Sequence, residues 1–507
     1  RSSLSLASIY GLRMLGMFLI LPIFAIYAEG LPGSPSFKFM KIEQGMTPLE
    51  IRSSLSLASI YGLRMLGMFL ILPIFAIYAE GLPGNPTAFQ VGLALGAYGL
   101  TQALFQLPFG MLSDRYGRKN IIYIGLLLFA LGSFVSGYSD NINIIILGRA
   151  IQGAGAISAA ITALVADLTR DEHRTKAMAM IGATIGITFA LSLMGAPVLN
   201  RLIGVPGIFM LTGILSLSAI LVVRFVVPTP LTINSSKALK ESPLSFKSIL
   251  KNTQLSRLNF GIFALHAAQM AMFIVVPLAL ATSGGLDVNQ HWKVYLPVLL
   301  SSFVFMVPII IVGEKFNKSK LIFVSSIFLM LIAQVMFGIL INVFWGLVAS
   351  LFVYFVAFNV LEASLPSLIS KIAPPSAKGT AIGVYNTCQS LGVFFGGLLG
   401  GFLADRGGSF SVFSFCAILM TLWVSFALSM KAPPSIKTLM FLIKNKSLLK
   451  NPKQLALIEL KLKKIKGVHD VMILLEEGKV MLKVNKHDRI HEASINQLLG
   501  EKHGVSE

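Results

Sequence analysis

Long apolar runs and short polar connectors alternate along most of the chain. Apolar runs lie near residues 55–79, 88–110, 120–139, 142–168, 176–202 and 204–227, and again near 257–283, 290–313, 319–341, 343–371, 377–404 and 409–430. Most reach about 20 residues, the length that crosses a bilayer as a helix. In lipid every backbone polar group must bond internally, so only helices and closed barrels span. Barrel strands would be short and alternating, and these runs are neither. The pattern predicts an all-α membrane protein of twelve helices in two sets of six, residues 46–227 and 257–430, joined by a polar cytoplasmic linker at 228–256.

The two sets resemble each other. "MFLILP" at Met68 to Pro73 matches "MFIVVP" at Met272 to Pro277, "GMLSDRYGRK" has a worn counterpart in "GEKFNKSK", and "HRTKAMAMIG" is echoed by "PSAKGTAIG", all at offsets of about 200 residues. A parallel repeat of this kind belongs to transporters with a site between their halves.

Composition agrees. The chain is 55% hydrophobic and 13% charged, with a mean hydropathy of +0.78, which excludes an ordinary soluble domain. The net charge of +20 raises nucleic acid as a partner. Its distribution argues against that. Arg115, Arg118 and Lys119, then Arg170, Arg174 and Lys176, then the lysines of 237–251, Lys315, Lys318, Lys320, Lys371 and Lys378 fall in every second connector. The other connectors, such as "AEGLPGNPTA" and "GYSDNIN", are nearly bare. This is the positive-inside signature, and it puts the basic connectors and the Lys-rich tail in the cytoplasm of a plasma-membrane protein. Attraction to anionic membrane lipid is a second use of the charge. Cys388 and Cys416 lie inside apolar runs without metal or disulfide spacing, so no metal and no cofactor is expected. The first apolar run is too long for a cleavable signal peptide.

"GMLSDRYGRK" resembles the second-connector signature of the major facilitator superfamily, and "LGRAIQGAGAISAA", Leu147 to Ala160, resembles its fourth-helix arginine motif. "LNFGIFALHAAQM" and the stretch from "FNVLEASLPS" to "FFGGLLGG" are similar to YajR-type exporters of that superfamily, which carry a small cytoplasmic ferredoxin-like domain after the twelfth helix. The resemblance covers residue 46 to the C-terminus and implies a secondary active transporter, not an enzyme. It implies that Gly110, Asp114, Arg115, Gly117, Arg118 and Asp167 form a gate that locks the halves when the carrier opens outward. Glycines there allow close approach. Asp114 would meet the N-terminus of the eleventh helix near Ser376 to Gly379, which favours anions, and Arg118 would pair with Asp167. The alternative is a positive-inside connector with surface ion pairs worth little. The fifth helix keeps only Gly195, Ala196 and Pro197 of the antiporter signature, so antiport is not secured by it. Pro197 is expected to kink that helix, and Gly182 and Gly186 to pack it closely.

Four charged or titratable residues stand inside apolar runs. Arg149, with Gln152 a turn away, and Arg64 each face either the interior or the headgroups by snorkelling. Glu362 lies deep in the tenth run, where a carboxylate must be protonated or partnered, which suits a proton carrier; a neutral acid bonded between helices is the alternative. Asn359 and Ser364 are the expected hydrogen-bond partners. His266 is a relay member or a packed histidine. Phe69, Phe75, Met270, Phe273, Phe355 and Phe358 would line a cavity suited to a hydrophobic or cationic small molecule, or else are core or lipid-facing.

The tail, 431–507, changes composition: a strand in "KTLMFLI", a helix in "PKQLALIELKLKKIKG", a hairpin around Glu477-Gly478, and a second helix in "HEASINQLLGEKHG". The order suggests a small α+β ferredoxin-like domain without metal cysteines. A regulatory ligand or self-association are both open to it. Residues 1–33 repeat 52–84 without change, so 1–45 are expected to be an artefact or a functionless copy, with the transporter beginning near Met46. The reading reached is proton-coupled efflux of small hydrophobic or cationic compounds. Its alternatives are a proton-coupled symporter importing a metabolite and a membrane-anchored sensor signalling through the tail.

Overall fold

The computed structural model describes residues 46–169, 173–228, 246–316, 318–373, 378–430, 436–443, 452–463, 465, 467–474, 479–485 and 495. The duplicated segment 1–45, most of the linker, the Glu477-Gly478 turn and nearly all of the tail's expected second helix lie outside these residues. The chain divides into two units, one holding the residues up to Gly313 with Leu321–Met430, the other Glu314–Lys320 with the tail.

In the first unit α1 spans Pro48–Phe69. Thr47 and Glu50 close a reciprocal cap on its first turn, and Pro48 occupies the position where a missing N–H costs nothing. The apolar run expected to continue to residue 79 breaks at 70–74 and resumes as α2, Phe75–Glu80, because Pro73 cannot donate within a helix. Next come α3, Ala88–Tyr116, and α4, Arg118–Gly137, separated only by Gly117 at φ 94°. The fourth run also divides, into α5, Ile142–Ala154, and α6, Ser158–Asp167. Gly155, between them, lies against the Gly125 carbonyl, where a Cβ would not fit.

The fifth and sixth runs follow each other directly as the two arms of α7, Arg174–Phe225, which meet at a kink at Gly204. Short α8, Phe246–Lys251, precedes α9, Thr253–Thr282, which begins four residues ahead of the expected 257 because Asn252 caps it. Then follow α10, Trp292–Lys315; α11, Ser319–Leu340; α12, Phe344–Ile372; and α13, Lys378–Leu428. Among the described residues nine helices are long and apolar enough to cross a membrane, and two of these are 50 residues long. A straight helix of that length would run about 75 Å, more than twice the hydrocarbon thickness. Gly204 at φ 68° and Gly408 at φ 62° interrupt α7 and α13 with a conformation only glycine adopts freely. Pro197 lies within helical backbone, and the non-helical residue of α7 is Gly204.

Within the first set α1 packs on α7, and α5 on both α3 and α4; within the second, α9 packs on α12 and α13. The sets meet chiefly where α3 crosses α13. There Gly92 and Gly96 of α3 abut the backbone of Gly397 and Phe394. Small residues at a crossing let two helices approach to backbone contact, which replaces the missing hydrophobic drive in lipid. Gly182 and Gly186, expected to do the same on α7, have nothing within 4 Å of where a Cβ would stand. Large apolar side chains such as Leu104, Phe105, Met111, Leu127 and Leu131 point outward, as a lipid-facing surface requires.

The second unit has strand β1, Ile436–Leu442; helix α14, Pro452–Lys463; and strands β2, Val468–Leu474, and β3, Lys479–Asn485. β3 is central and antiparallel to both neighbours. Val480, Leu482 and Val484 are buried against Leu455, Ile458 and Leu462 of α14, the period-two face of a half-covered sheet.

Candidate functional site

Two polar clusters lie inside the first unit, one in each set of helices. In the first set Arg64 of α1 and Arg149 of α5 are 2% and 1% exposed. Both guanidinium groups stand over the ring of Tyr98 on α3, at 5.6 and 5.0 Å from its centroid. A desolvated cation–π contact of this kind contributes about 2 kcal/mol. Arg64 donates from Nη1 to Ser158 Oγ at 3.0 Å. Arg149 donates to Gln152 Oε1 at 2.8 Å and to the Ala94 carbonyl at 3.3 Å. Gln152 passes the chain on to Ser133 Oγ at 2.7 Å. Both arginines are thus interior, not snorkelling, and among the described residues no carboxylate pairs with either. Sequence reading missed Tyr98, Ser133 and Ser158; an aromatic hydroxyl between glycines in "GAYGL" is the signal that was there.

The second set buries an acid instead. Glu362 of α12 has a side chain 27% exposed, with Oε2 buried and lacking a hydrogen bond. That oxygen lies 3.9 Å from Nε2 of His266 on α9. His266 is 3% exposed. Its Nδ1 faces the Ile262 carbonyl at 3.2 Å, so it donates, and its Nε2 faces the side-chain nitrogen of Gln389 at 2.8 Å, so it accepts. These partners assign the neutral tautomer, and the Gln389 amide occupies the nitrogen that a second proton would need. Asn359 and Ser364 do not serve Glu362 as expected. Asn359 donates to Ser302 Oγ at 2.8 Å, and Ser364 donates back to the Val360 carbonyl at 2.6 Å, the usual turn-closing bond of a helical serine. Gln389 went unread because it sits in the polar opening of the eleventh run.

The expected aromatic wall is close-packed. Phe69 of α1 meets Phe189 of α7 at 5.0 Å, and Phe189 meets Phe358 and Phe355 of α12 at 5.6 and 6.2 Å, so a file of rings runs from one set to the other. Phe358 also lies 6.2 Å from the His266 ring. Phe75, Met270 and Phe273 are buried core.

At the basic end Arg118 pairs with Asp114, donates to Asp167 Oδ2 at 2.9 Å, and reaches Ser113 Oγ at 2.8 Å. Arg115 stacks on Tyr116, and Gly110 approaches Ala159. Asp114 is 64% exposed. Ser376 and Ala377, the helix tip it was expected to meet, lie outside the described residues; nothing stands within 4 Å of the Cβ position of Gly379. No group of three metal-ligating side chains occurs among the described residues.

Two sets of apolar helices meeting at a glycine seam, with polar clusters buried in each, define a membrane carrier. The Major Facilitator Superfamily profile matches residues 57–313 and 294–464, and the chain belongs to that family, whose members are transporters rather than enzymes. It is 42% identical over 445 residues to the inner membrane transport protein YajR of Escherichia coli K12, across 87% of this chain and 95% of that protein. It is 26% identical over 360 residues to the quinolone resistance protein NorA of Staphylococcus aureus strain Mu50, across 67% of this chain and 87% of that one. The crystal structure of the human organic anion transporter MFSD10 shares the fold, with a TM-score of 0.57 at 19% identity, across 75% of this chain and all of that one.

Proposed function

We propose that this chain is a proton-coupled exporter of small hydrophobic or cationic compounds in a bacterial inner membrane. Twelve spans, counting the two arms of α7 and of α13 separately and α1 with α2 and α5 with α6 as one each, alternate access between halves 46–227 and 257–430. The inner-membrane transport named for YajR supports the location, and the quinolone resistance named for NorA supports a small drug-like cargo, to which a transporter would confer resistance by moving it outward. The observation that carries the reading is the Glu362 carboxylate beside neutral His266. In the cycle, Glu362 takes a proton at one face of the membrane and loses it at the other. Gln389 must swing aside before His266 can accept that proton. Asp114, with Arg118 and Asp167, acts as the gate at the basic, cytoplasmic end. Asp114→Ala is expected to abolish transport while membrane insertion, scored by fractionation, is retained.

A second reading, symport of an anionic metabolite, draws support from Arg64 and Arg149, two buried cations that pair with no acid among the described residues. Proton flux in liposomes, driven by candidate cargo under inward and then outward gradients, separates the two. Export predicts cargo leaving against proton entry, and import with protons overturns it. The tail's β1-α14-β2-β3 order, with β3 central, supports a ferredoxin-like domain. A regulatory ligand or self-association is its proposed use, on the cytoplasmic side.

A further inference from the structure

The first turn of α3 has its four free amide groups accounted for in an unusual way. A helix leaves its leading N–H groups without internal partners. Thr87 and Gln90 form a reciprocal cap, which satisfies the amides of Gln90 and of Thr87 itself, and the Val91 amide reaches the Thr87 carbonyl. The amides of Ala88 and Phe89 remain. Both are taken by one carboxylate from the other half of the molecule. Asp405 of α13 accepts from Ala88 N at 2.7 Å and from Phe89 N at 2.9 Å. The seam beside this contact is closed to backbone distance, since Gly401 lies against the Ala88 carbonyl and Gly397 against Gly92. A second bond joins the halves at the same end, Asn200 Nδ2 to Asn289 Oδ1 at 3.1 Å. At the basic end, by contrast, the position of Gly379 at the start of α13 is open.

We propose that Asp405 is the latch of the closed state at the sparsely charged end, seated on the N-terminus of α3. It is the reciprocal of the Asp114 gate: each of the crossing helices α3 and α13 would offer an aspartate to the first turn of the other, at opposite ends. Anions are favoured at a helix N-terminus by its free donors and dipole, and charge-assisted bonds are the strong kind. Asp405 is exposed, so water competes for both partners and the latch holds a state without trapping it. That suits a contact that must open once per cycle. The inference rests on alternating access between the halves and not on the coupling ion or the cargo.

Spin labels on the purified full chain test it. Tyr138 and Trp345 are 88% and 75% exposed at this end, one in each half. Labels at Tyr138→Cys and Trp345→Cys, with Cys388→Ser and Cys416→Ala, report the opening by distance measurement. Asp405→Ala should raise the long-distance population roughly fivefold, the upper scale of a solvent-exposed charged contact. Ala88→Pro removes one donor where proline is tolerated, after an extended Thr87 at ψ 159°, and should act in the same direction. The double variant should exceed Asp405→Ala by little, because without the carboxylate the Ala88 amide has no partner left to lose. A second label pair at Phe225→Cys and Lys371→Cys, at the basic end, should close in step. Unchanged distances in both single variants, or effects that multiply, would overturn the latch. Loss of defined distances at both ends would assign Asp405 to folding stability and overturn it equally.

Discussion

The two halves share a helical plan but bury opposite chemistry. The first holds Arg64 and Arg149 around Tyr98, and the second holds Glu362 beside His266. An arginine keeps its charge throughout the accessible pH range, so the first cluster is a constant field. A carboxylate and an imidazole change charge with their surroundings, so the second cluster can be switched. The hydrogen bonds divide less sharply. Arg149 is tied through Gln152 to Ser133 and Arg64 to Ser158, although Arg64 Nε and Nη2 and Arg149 Nη2 lack partners as Glu362 Oε2 does; the arginines are also held by the Tyr98 ring. A fixed network suits a scaffold, and an underbonded acid suits a group that must gain and lose a proton.

Substitutions can break that contrast, and the largest effect is expected in the second half. Glu362→Gln should reduce pH-driven flux to the level of empty liposomes, because the amide cannot release a proton. In the first half Arg149→Ala should lower thermal stability by about 1–3 kcal/mol, because it leaves the buried Gln152 Oε1 without its donor. Melting in detergent would show it, and an unchanged melting point would deny Arg149 a structural role. His266→Phe should slow pH-driven flux without abolishing it, since Glu362 keeps its proton-carrying oxygen; a stopped-flow proton assay reads the rate. Tyr98→Phe should be nearly neutral, within about 0.5 kcal/mol, because the hydroxyl has no partner and the ring that faces both cations is kept. A large loss there would mean that the hydroxyl, not the ring, does the work.

Much of the architecture was legible because lipid demands long apolar runs. The breaks at 70–74 and 155–157 were not, since a helix that bends within a membrane stays apolar through the bend. That Arg64 stands inside an apolar run was plain, but not which way it faces; only the neighbouring Tyr98 and Ser158 decide that. Glu362 and His266 stood out as lone titratable groups, yet their approach across 96 positions of sequence could not be read from either helix alone. Gln389, which sets the tautomer of His266, was one of several polar residues in the first half of the eleventh run, and nothing in that run singled it out. Asp405 looked like part of a connector, because the value of an acid at a helix end depends on which foreign helix begins beside it.

The contrast between a fixed first half and a switchable second half is tested most directly by two fluxes measured on one variant. Glu362→Gln is reconstituted in liposomes, and cargo exchange without a gradient is compared with net flux driven by a pH gradient. Exchange should persist near the unsubstituted rate while driven flux disappears. Driven flux that survives in Glu362→Gln with its pH dependence intact would contradict the account.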